Sequence, residues 1–321
     1  MSAKAALADA LAVVKLSEQH RVLTRVPSPA GLSALGIPNG VTGVAIDVEG
    51  TGLDLDRSKV IEVGAVRFTT EDAKLVLLDE YEGLQDPGEP LTDEVIAVTG
   101  IRDESLAGQQ IDAARLQQVV EGADFVIAHN AAYDRQMLER AFPGLFEDLD
   151  FACSFRDVRY PEFGIYGGGK LEMLALSRSM FYDAHRALDD AKATLSIMAS
   201  IDDGEARSAL SVLELASRSK SFRLAAAKAP FESKDDLKRA GFRWDGEKKW
   251  WHVDAPTISS LAERVRWLAD KVYMAVGDIE LPVAQITAMD RYSVREPLIA
   301  FRLHKFRRRP ESAVTSDGPG L

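Results

Sequence analysis

Residues 44–52, Val44-Ala45-Ile46-Asp47-Val48-Glu49-Gly50-Thr51-Gly52, join an apolar strand pattern to two carboxylates and a glycine-rich turn. Because side chains alternate along a strand, Asp47 and Glu49 fall on one face at the end of the strand. Neighbouring carboxylates repel each other, and oxygen ligands without cysteine favour Mg²⁺ or Mn²⁺. The stretch predicts part of a cation site, although such a pair by itself is also typical of a solvated surface.

The residues after this stretch predict an α/β domain. Residues 60–68 and 75–81 read as further strands of an antiparallel meander. Residues 125–128 are wholly apolar, as expected for a strand buried on both faces. Helical patterns occupy residues 92–98, 111–120, 132–141, 171–178 and 185–201. Strands followed by alternating strands and helices indicate a mixed sheet flanked by helices.

Outside this domain, the pattern predicts a helix over residues 3–22 and a connecting helix over 206–217. A smaller α+β domain follows, with an Asp-Gly hairpin near residues 242–253 and two short strands within 279–306. The predicted division is an N-terminal helical extension (1–40), the main domain (41–203), a helical linker (204–220), a small basic domain (221–306) and a flexible tail (307–321).

Composition excludes several classes of protein. Hydrophobic residues make up 46% of the 321 residues and charged residues 28%, which is typical of a folded chain. The single cysteine, Cys153, excludes a disulfide framework and a cysteine-rich zinc module, and it fits a reducing compartment. No run of 18 apolar residues and no signal peptide occur, so we expect no membrane partner and a cytoplasmic location.

The charge is unevenly distributed along the chain. Residues 1–217 hold 19 Lys+Arg against 36 Asp+Glu, whereas residues 218–309 hold 20 against 12. The asymmetry suggests that the acidic part carries carboxylate chemistry and the basic part meets a polyanion, with a merely solvated surface as the alternative.

Two further segments carry carboxylates. His129-Asn130-Ala131-Ala132-Tyr133-Asp134 follows the buried strand, so Asp134 falls near the start of a helix, where a carboxylate is also a plain stabiliser. In His185-Arg186-Ala187-Leu188-Asp189-Asp190, His185 and Asp190 lie five residues apart at a helix start that Asp183 is predicted to cap. Asp190 lies among apolar residues and either binds something or faces water.

The three segments resemble, in order and spacing, the three motifs of DEDD-type 3′–5′ exonucleases. The gap from His185 to Asp190 matches the histidine-bearing DEDDh (DnaQ-like) subgroup, typified by the epsilon proofreading subunit of DNA polymerase III. The stretches 61–66 and 91–101 match as well, and the resemblance covers about residues 41–201. It implies an RNase H-like mixed sheet. One departure is Gly50, where many members carry threonine.

The resemblance also implies the roles of particular residues. It makes His185 the general base, and it implies two divalent ions, Mg²⁺ or Mn²⁺. The implied metal ligands, which complete the catalytic set, are Asp47, Glu49, Asp134 and Asp190. The residues expected to receive the 3′-terminal nucleotide are Gly50, Thr51, Gly52, Leu53 and Asn130.

The predicted function is therefore metal-dependent 3′–5′ exonuclease activity, releasing nucleoside 5′-monophosphates from a nucleic acid with a free 3′ end. We expect single-stranded DNA as substrate, in proofreading or repair, with a DNA polymerase or replisome as a possible partner. One alternative is an exoribonuclease that trims RNA 3′ ends. Another is a non-catalytic nucleic-acid-binding or replisome-scaffold protein, against which the presence of all five key residues argues.

The basic part interleaves cations with aromatic residues, as proteins that bind single strands do. The candidate contacts are Arg243, Trp244, Lys248, Lys249 and Trp251. The alternative is that the tryptophans form the core of a small domain. A second basic run lies within residues 302–309. Because the catalytic set lies before residue 202, deletion of residues 221–321 is expected to leave turnover of small substrates intact.

Overall fold

The computed structural model describes residues 10–14, 17–274, 281–295 and 299–303. These residues form two compact units. The first contains the described residues up to Ser219 together with Ala288–Arg295, and the second contains Lys220–Thr287 with the described residues after 295.

The first unit is built on a five-stranded mixed sheet. Its strands and those of a two-stranded ribbon are β1 (Thr24–Arg25), β2 (Thr42–Gly50), β3 (Val60–Glu71), β4 (Lys74–Leu84), β5 (Phe125–Ala128), β6 (Phe151–Cys153) and β7 (Met180–Phe181). The order in the sheet is β4-β3-β2-β5-β6. Strand β2 pairs antiparallel with β3 and parallel with β5, whereas β1 pairs with β7 outside the sheet. This topology confirms the predicted RNase H-like mixed sheet.

Helices cover both faces of this sheet. They are α1 (Asp93–Thr99), α2 (Asp103–Leu106), α3 (Ala113–Val120), α4 (Ala131–Ala141), α5 (Ser154–Asp157), α6 (Leu171–Ser177), α7 (Ala187–Ser200) and α8 (Ala209–Arg218). On one face, Ala45 of β2 shares a buried cluster with Leu195 of α7 and Leu210 of α8. On the other face, Ile46 shares a cluster with Leu138 of α4. Successive side chains of β2 thus pack into two hydrophobic cores, one on each face of the sheet.

The predicted domain limits need correction at three places. Residues 24–40 are not a separate extension, because Ala34 and Ile37 are buried in the core of the first unit. The predicted linker 204–220 contains α8, whose Leu213 belongs to the same core. The segment Ala288–Arg295, predicted within the basic domain, belongs to the first unit.

The predicted helix over residues 3–22 is also too long. Residues 10–14 are helical, and the chain from Ser17 onward is not. The Ser17 hydroxyl accepts from the Gln19 N–H and contacts the His20 ring. Such local side-chain bonds compete with helix propagation. Residues 1–9 lie outside the described residues.

The second unit is an antiparallel sheet packed on helices. Its strands are β8 (Ser221–Ala226), β9 (Arg243–Asp245), β10 (Trp250–Ala255), β11 (Leu281–Ile286) and β12 (Ile299–Leu303), in the order β12-β11-β8-β10-β9. Its α-helices are α9 (Lys234–Arg239) and α10 (Ile258–Lys271), and α10 packs against β8 and β10. The two strands predicted within 279–306 are present, and the hairpin loop spans four residues, 246–249, rather than a two-residue turn.

The predicted tail at 307–321 lies outside the described residues, as do the side chains of the basic run at 302–309. Across the described ranges, every helix is too short or too polar to span a bilayer. The cytoplasmic location stays a prediction.

Candidate active site

Strand β2 presents two carboxylates at the end where the chain leaves the sheet. Asp47 and Glu49 lie on the same side as Ala45, the side that α7 covers. The register of β2 with β3 shifts between Glu49 and Gly50, which ends the regular strand at this point. A bulge of this kind commonly aims a functional side chain.

An ion pair between a buried carboxylate and a half-exposed arginine positions α7 at this end of the sheet. The Glu62 carboxylate on β3 is fully buried and accepts from Arg186 Nη2 (2.8 Å), Arg186 Nε (3.0 Å) and the Ala187 N–H (3.0 Å). Gly64 lies directly beneath the first turn of α7, where a Cβ would collide with the backbone of Ala187 and Leu188. Glu62 and Gly64 of β3 therefore bring α7 close enough to place Asp190 beside the carboxylates of β2.

Three carboxylates converge as a result. One oxygen each from Asp47, Glu49 and Asp190 lies within 4.8 Å of the others. Burial, followed by the neighbouring carboxylates, raises the pKa of Asp47 well above its usual range. Burial and the charge of Asp190 raise the pKa of Glu49 to about 8. The cluster is thus electrostatically unfavourable without a compensating cation.

Asp134 adds a fourth carboxylate from the first turn of α4. Its side chain is buried, and Oδ1 accepts from the Val48 N–H at 3.2 Å, which links α4 to β2. Within the described part of the chain, Oδ2 has no hydrogen-bond partner. Burial raises the pKa of Asp134 to about 7. An orphaned buried oxygen beside three converging carboxylates fits hard divalent cations, which prefer oxygen ligands.

His185 lies at the edge of the same cleft, and its setting differs from the prediction. It precedes α7 by two residues, in a left-handed conformation with φ of 68°. The predicted cap, Asp183, instead pairs with Arg25 at 3.0 Å. The His185 ring is 48% exposed, with Nε2 4.0 Å from Glu172 Oε1. The imidazole is therefore open to solvent and substrate.

The cleft has a volume of about 390 Å³, within the usual range for a small-ligand site. The carboxylates, His185 and Asn130 line it, together with Val48, His129, Tyr133, Phe155, Lys170, Leu171, Glu172, Tyr182 and Ala184. The turn of residues 50–53 continues from Glu49, and Leu53 is 90% exposed. His129 has a structural setting, because its Nδ1 lies 2.8 Å from Ser154 Oγ and burial lowers its pKa to about 4.

Sequence reasoning missed the residues that hold the candidate ligands in place. The Tyr182 hydroxyl donates to Asp190 Oδ1 at 3.0 Å, and the Arg186 N–H donates to Oδ2 at 3.0 Å. Glu62 lies within a stretch that matches the family, but its role was not predicted. An acid inside the apolar run of β3 was the available signal, since a buried carboxylate needs a partner. Tyr182 has no comparable signal.

The candidate contacts in the second unit have unequal exposure. Lys248 and Lys249 are exposed, and Arg243 is exposed but paired with Asp254 at 2.9 Å. Trp244 is 52% exposed and meets the edge of Trp251, which is packed against the core of the unit. Trp251 thus fits the alternative interpretation, in which a tryptophan belongs to the core.

Comparison with known proteins finds sequence similarity over the residues that form this site. The sequence profile of the RNase_T exonuclease family matches residues 44–198. The PolC-type DNA polymerase III of Halalkalibacterium halodurans is 36% identical over 105 residues, covering 31% of this chain and 7% of the polymerase. That of Listeria innocua is 31% identical over 165 residues, covering 48% of this chain and 11% of the polymerase. A solved structure of exonuclease X in complex with 5′-overhanging duplex DNA is 20% identical, with a TM-score of 0.40, and the match covers 54% of this chain and 98% of that one.

Residues 44–198 form a domain of the RNase_T exonuclease family, to which the DnaQ-like 3′–5′ exonucleases belong. This confirms the family predicted from the three motifs. The curated relatives are far longer than this chain, which spans 7% and 11% of the two polymerases named above.

Proposed function

We propose that the protein is a metal-dependent 3′–5′ exonuclease that releases nucleoside 5′-monophosphates from DNA. The observation that carries the proposal is the convergence of Asp47, Glu49 and Asp190 in a cleft that Asp134 and His185 also line. A scaffold protein would have no need to keep four mutually repelling carboxylates together, because such a cluster is costly without a cation.

The residues divide the chemistry between them. Asp47, Glu49 and Asp190 would hold one divalent ion, Mg²⁺ or Mn²⁺, and Asp134 with Asp47 would hold a second. When bound, divalent ions would supply positive charge that neutralises the scissile phosphate and stabilises the attacking and leaving oxygens of an in-line displacement. The exposed His185 imidazole accepts the proton of the attacking water, which is the role of a general base.

The substrate assignment rests on the turn and on the relatives. The turn Gly50–Leu53 follows directly from Glu49 and would receive the 3′-terminal nucleotide, with Asn130 on the wall of the cleft. The curated relatives named above are DNA polymerases, which favours DNA as substrate and a polymerase or replisome as partner. RNA is the alternative substrate that the experiment must test.

The test is a cleavage assay with the full chain. Single-stranded, double-stranded and mismatched DNA, and single-stranded RNA, are labelled at the 3′ or the 5′ end and incubated with Mg²⁺ or Mn²⁺, or with EDTA. We expect stepwise loss from the 3′ end of single-stranded DNA, abolished by EDTA. Cleavage that survives EDTA, or that starts at the 5′ end, would refute the mechanism, and faster loss of RNA would redirect the substrate assignment.

We propose that the second unit contacts the nucleic acid strand. The exposed Lys248 and Lys249 and the half-exposed Trp244 support this role. Phosphate contacts release counterions, so the variant Lys248→Glu/Lys249→Glu should lower the slope of log affinity against log salt by about 1–2 on a long single strand. The exposed Lys74 of the first unit provides the control, Lys74→Glu. An unchanged salt slope would favour a protein partner for this unit instead.

A further inference from the structure

Gly50 departs from the threonine common in the family, and the structure shows what occupies the space. A Cβ built on Gly50 would collide with the Tyr133 hydroxyl, and it would lie 3.0 Å from Met137 Cε and 3.3 Å from the Lys59 carbonyl oxygen. The backbone at Gly50 is outside the left-handed region, so its conformation alone would admit another residue. Glycine is required at position 50 because the Tyr133 hydroxyl occupies the space that a Cβ would need.

The Tyr133 hydroxyl also makes a specific bond. It donates to the Gly52 carbonyl at 2.9 Å, within the turn that follows Glu49. Tyr133 lies in the first turn of α4, next to Asp134. The hydroxyl therefore joins the turn to the helix that carries a candidate metal ligand.

The opposite side of the turn is fixed to Lys59, the residue that precedes β3. The Thr51 N–H donates to the Lys59 carbonyl at 2.9 Å, and the Lys59 N–H donates to Thr51 Oγ1 at 3.0 Å. The turn is thus held from the sheet by Thr51 and from α4 by Tyr133. Leu53, at its tip, is 90% exposed and available to a substrate. Loss of either attachment would let the tip move relative to Glu49.

We propose that Tyr133 is a positioning residue for the 3′-terminal nucleotide, with its hydroxyl standing in the place of a side chain at position 50. Gly50 and Tyr133 then form a matched pair: the hydroxyl fixes the turn, and the glycine leaves room for the hydroxyl. This assignment rests on the proposed exonuclease function, since it concerns the turn that receives the nucleotide.

A double-mutant cycle on the full chain tests the pairing. Tyr133→Phe removes only the hydroxyl, and we expect KM for a single-stranded oligonucleotide to rise about 3- to 10-fold, as for loss of one hydrogen bond, with kcat within about 2-fold. Gly50→Ala should lower kcat/KM by about 20-fold or more, because its Cβ displaces the hydroxyl that the turn depends on. In the double variant Gly50→Ala/Tyr133→Phe, the added cost of alanine should fall to about 3-fold or less, because phenylalanine leaves room for the methyl group.

A matched control separates positioning from general stability. Tyr273→Phe removes a hydroxyl that donates to the Ala227 carbonyl at 2.7 Å in the second unit. It should lower the melting temperature about as much as Tyr133→Phe does and leave KM unchanged. If Gly50→Ala fails to fold, folding of the double variant provides the same evidence of coupling.

The outcomes are distinguishable. Absence of turnover by the wild type on every substrate refutes the proposed function and this assignment with it. Turnover by the wild type with additive effects of the two substitutions, or with a KM unchanged by Tyr133→Phe, overturns the assignment of Tyr133 alone.

Discussion

Removal of the segment Ala288–Arg295 tests whether the first unit depends on residues far along the chain. The Arg135 side chain on α4 is fully buried. Its guanidinium donates to three carbonyls of the segment, those of Ala288 (2.9 Å), Met289 (2.8 Å) and Arg291 (3.1 Å). A chain that ends at Ser219 keeps every candidate catalytic residue but loses these acceptors. We therefore expect it to be less stable, whereas the sequence alone predicts only that turnover of small substrates is kept.

The size of the loss follows from the partners that remain. Arg135 keeps its ion pair with Glu139 (2.7 Å) and its bond to the Glu147 carbonyl (3.2 Å). A hydrogen bond to a charged group contributes about 1.5–3 kcal/mol, and water can replace part of the three that are lost, so we expect a net cost of about 3–5 kcal/mol. At roughly 2–4 °C per kcal/mol for a domain of this size, the melting temperature should fall by about 6–20 °C.

The matched control restores the segment without the second unit. Arg291 donates to the Ser219 carbonyl, so the segment passes close to the point of truncation. A chain of residues 1–219 joined through a short Gly/Ser linker to residues 288–295 should recover most of the lost stability. The assays are thermal melting and hydrolysis of a chromogenic thymidine monophosphate ester, a substrate too small to need the second unit. If the chain ending at Ser219 melts and turns over like the relinked chain, the segment contributes nothing and the reasoning fails.

Three further substitutions test the site. Asp47→Asn should abolish cleavage and should lose the stabilisation that Mn²⁺ gives the wild type. In EDTA its melting temperature should rise, because the substitution removes a repelling charge. Cleavage by this variant would contradict the ligand assignment. His185→Ala should lower turnover about 10²- to 10⁴-fold while Mn²⁺ still stabilises the protein, and a loss confined to binding would make His185 structural. Glu62→Gln should cost about 1.5–3 kcal/mol in unfolding free energy, because it removes the buried charge that accepts from Arg186 and from the Ala187 N–H. The control Glu82→Gln, which removes the exposed partner of the same arginine, should cost about 1 kcal/mol or less, and equal costs would refute the role of burial.

The sequence predicted those parts of the molecule that local pattern determines. The apolar alternation of β2 and the run Phe125–Ala128 predicted the central strands, and the family motifs predicted the carboxylates. The period of two along a strand is also enough to place Asp47 and Glu49 on one face. These features depend on neighbouring residues only, which is why a single sequence contains them.

The parts that sequence reasoning missed depend on distant backbone. Arg135 is bound largely by carbonyls, and every residue has a carbonyl, so nothing in the composition of Ala288–Arg295 marks it as a partner of α4. The same holds for the close approach of Tyr133 to Gly50, since the two are separated by more than 80 residues and meet only because α4 packs beside β2. The prediction of a helix over residues 3–22 was too long for a local reason. The apolar residues do follow a helical period, but hydrogen bonds of the Ser17 side chain compete with the helix.

The arrangement of the site explains how four repelling carboxylates stay together before a cation binds. The strand and helices that carry these carboxylates are held by other contacts, not by attraction between the carboxylates. Asp134 is held by the Val48 N–H, Asp190 by Tyr182 and the Arg186 N–H, and α7 as a whole by the buried Glu62. Because these bonds form within the protein, the free energy of cation binding is not consumed in ordering the ligands. The unfavourable charge therefore remains in the folded site, where bound cations would relieve it.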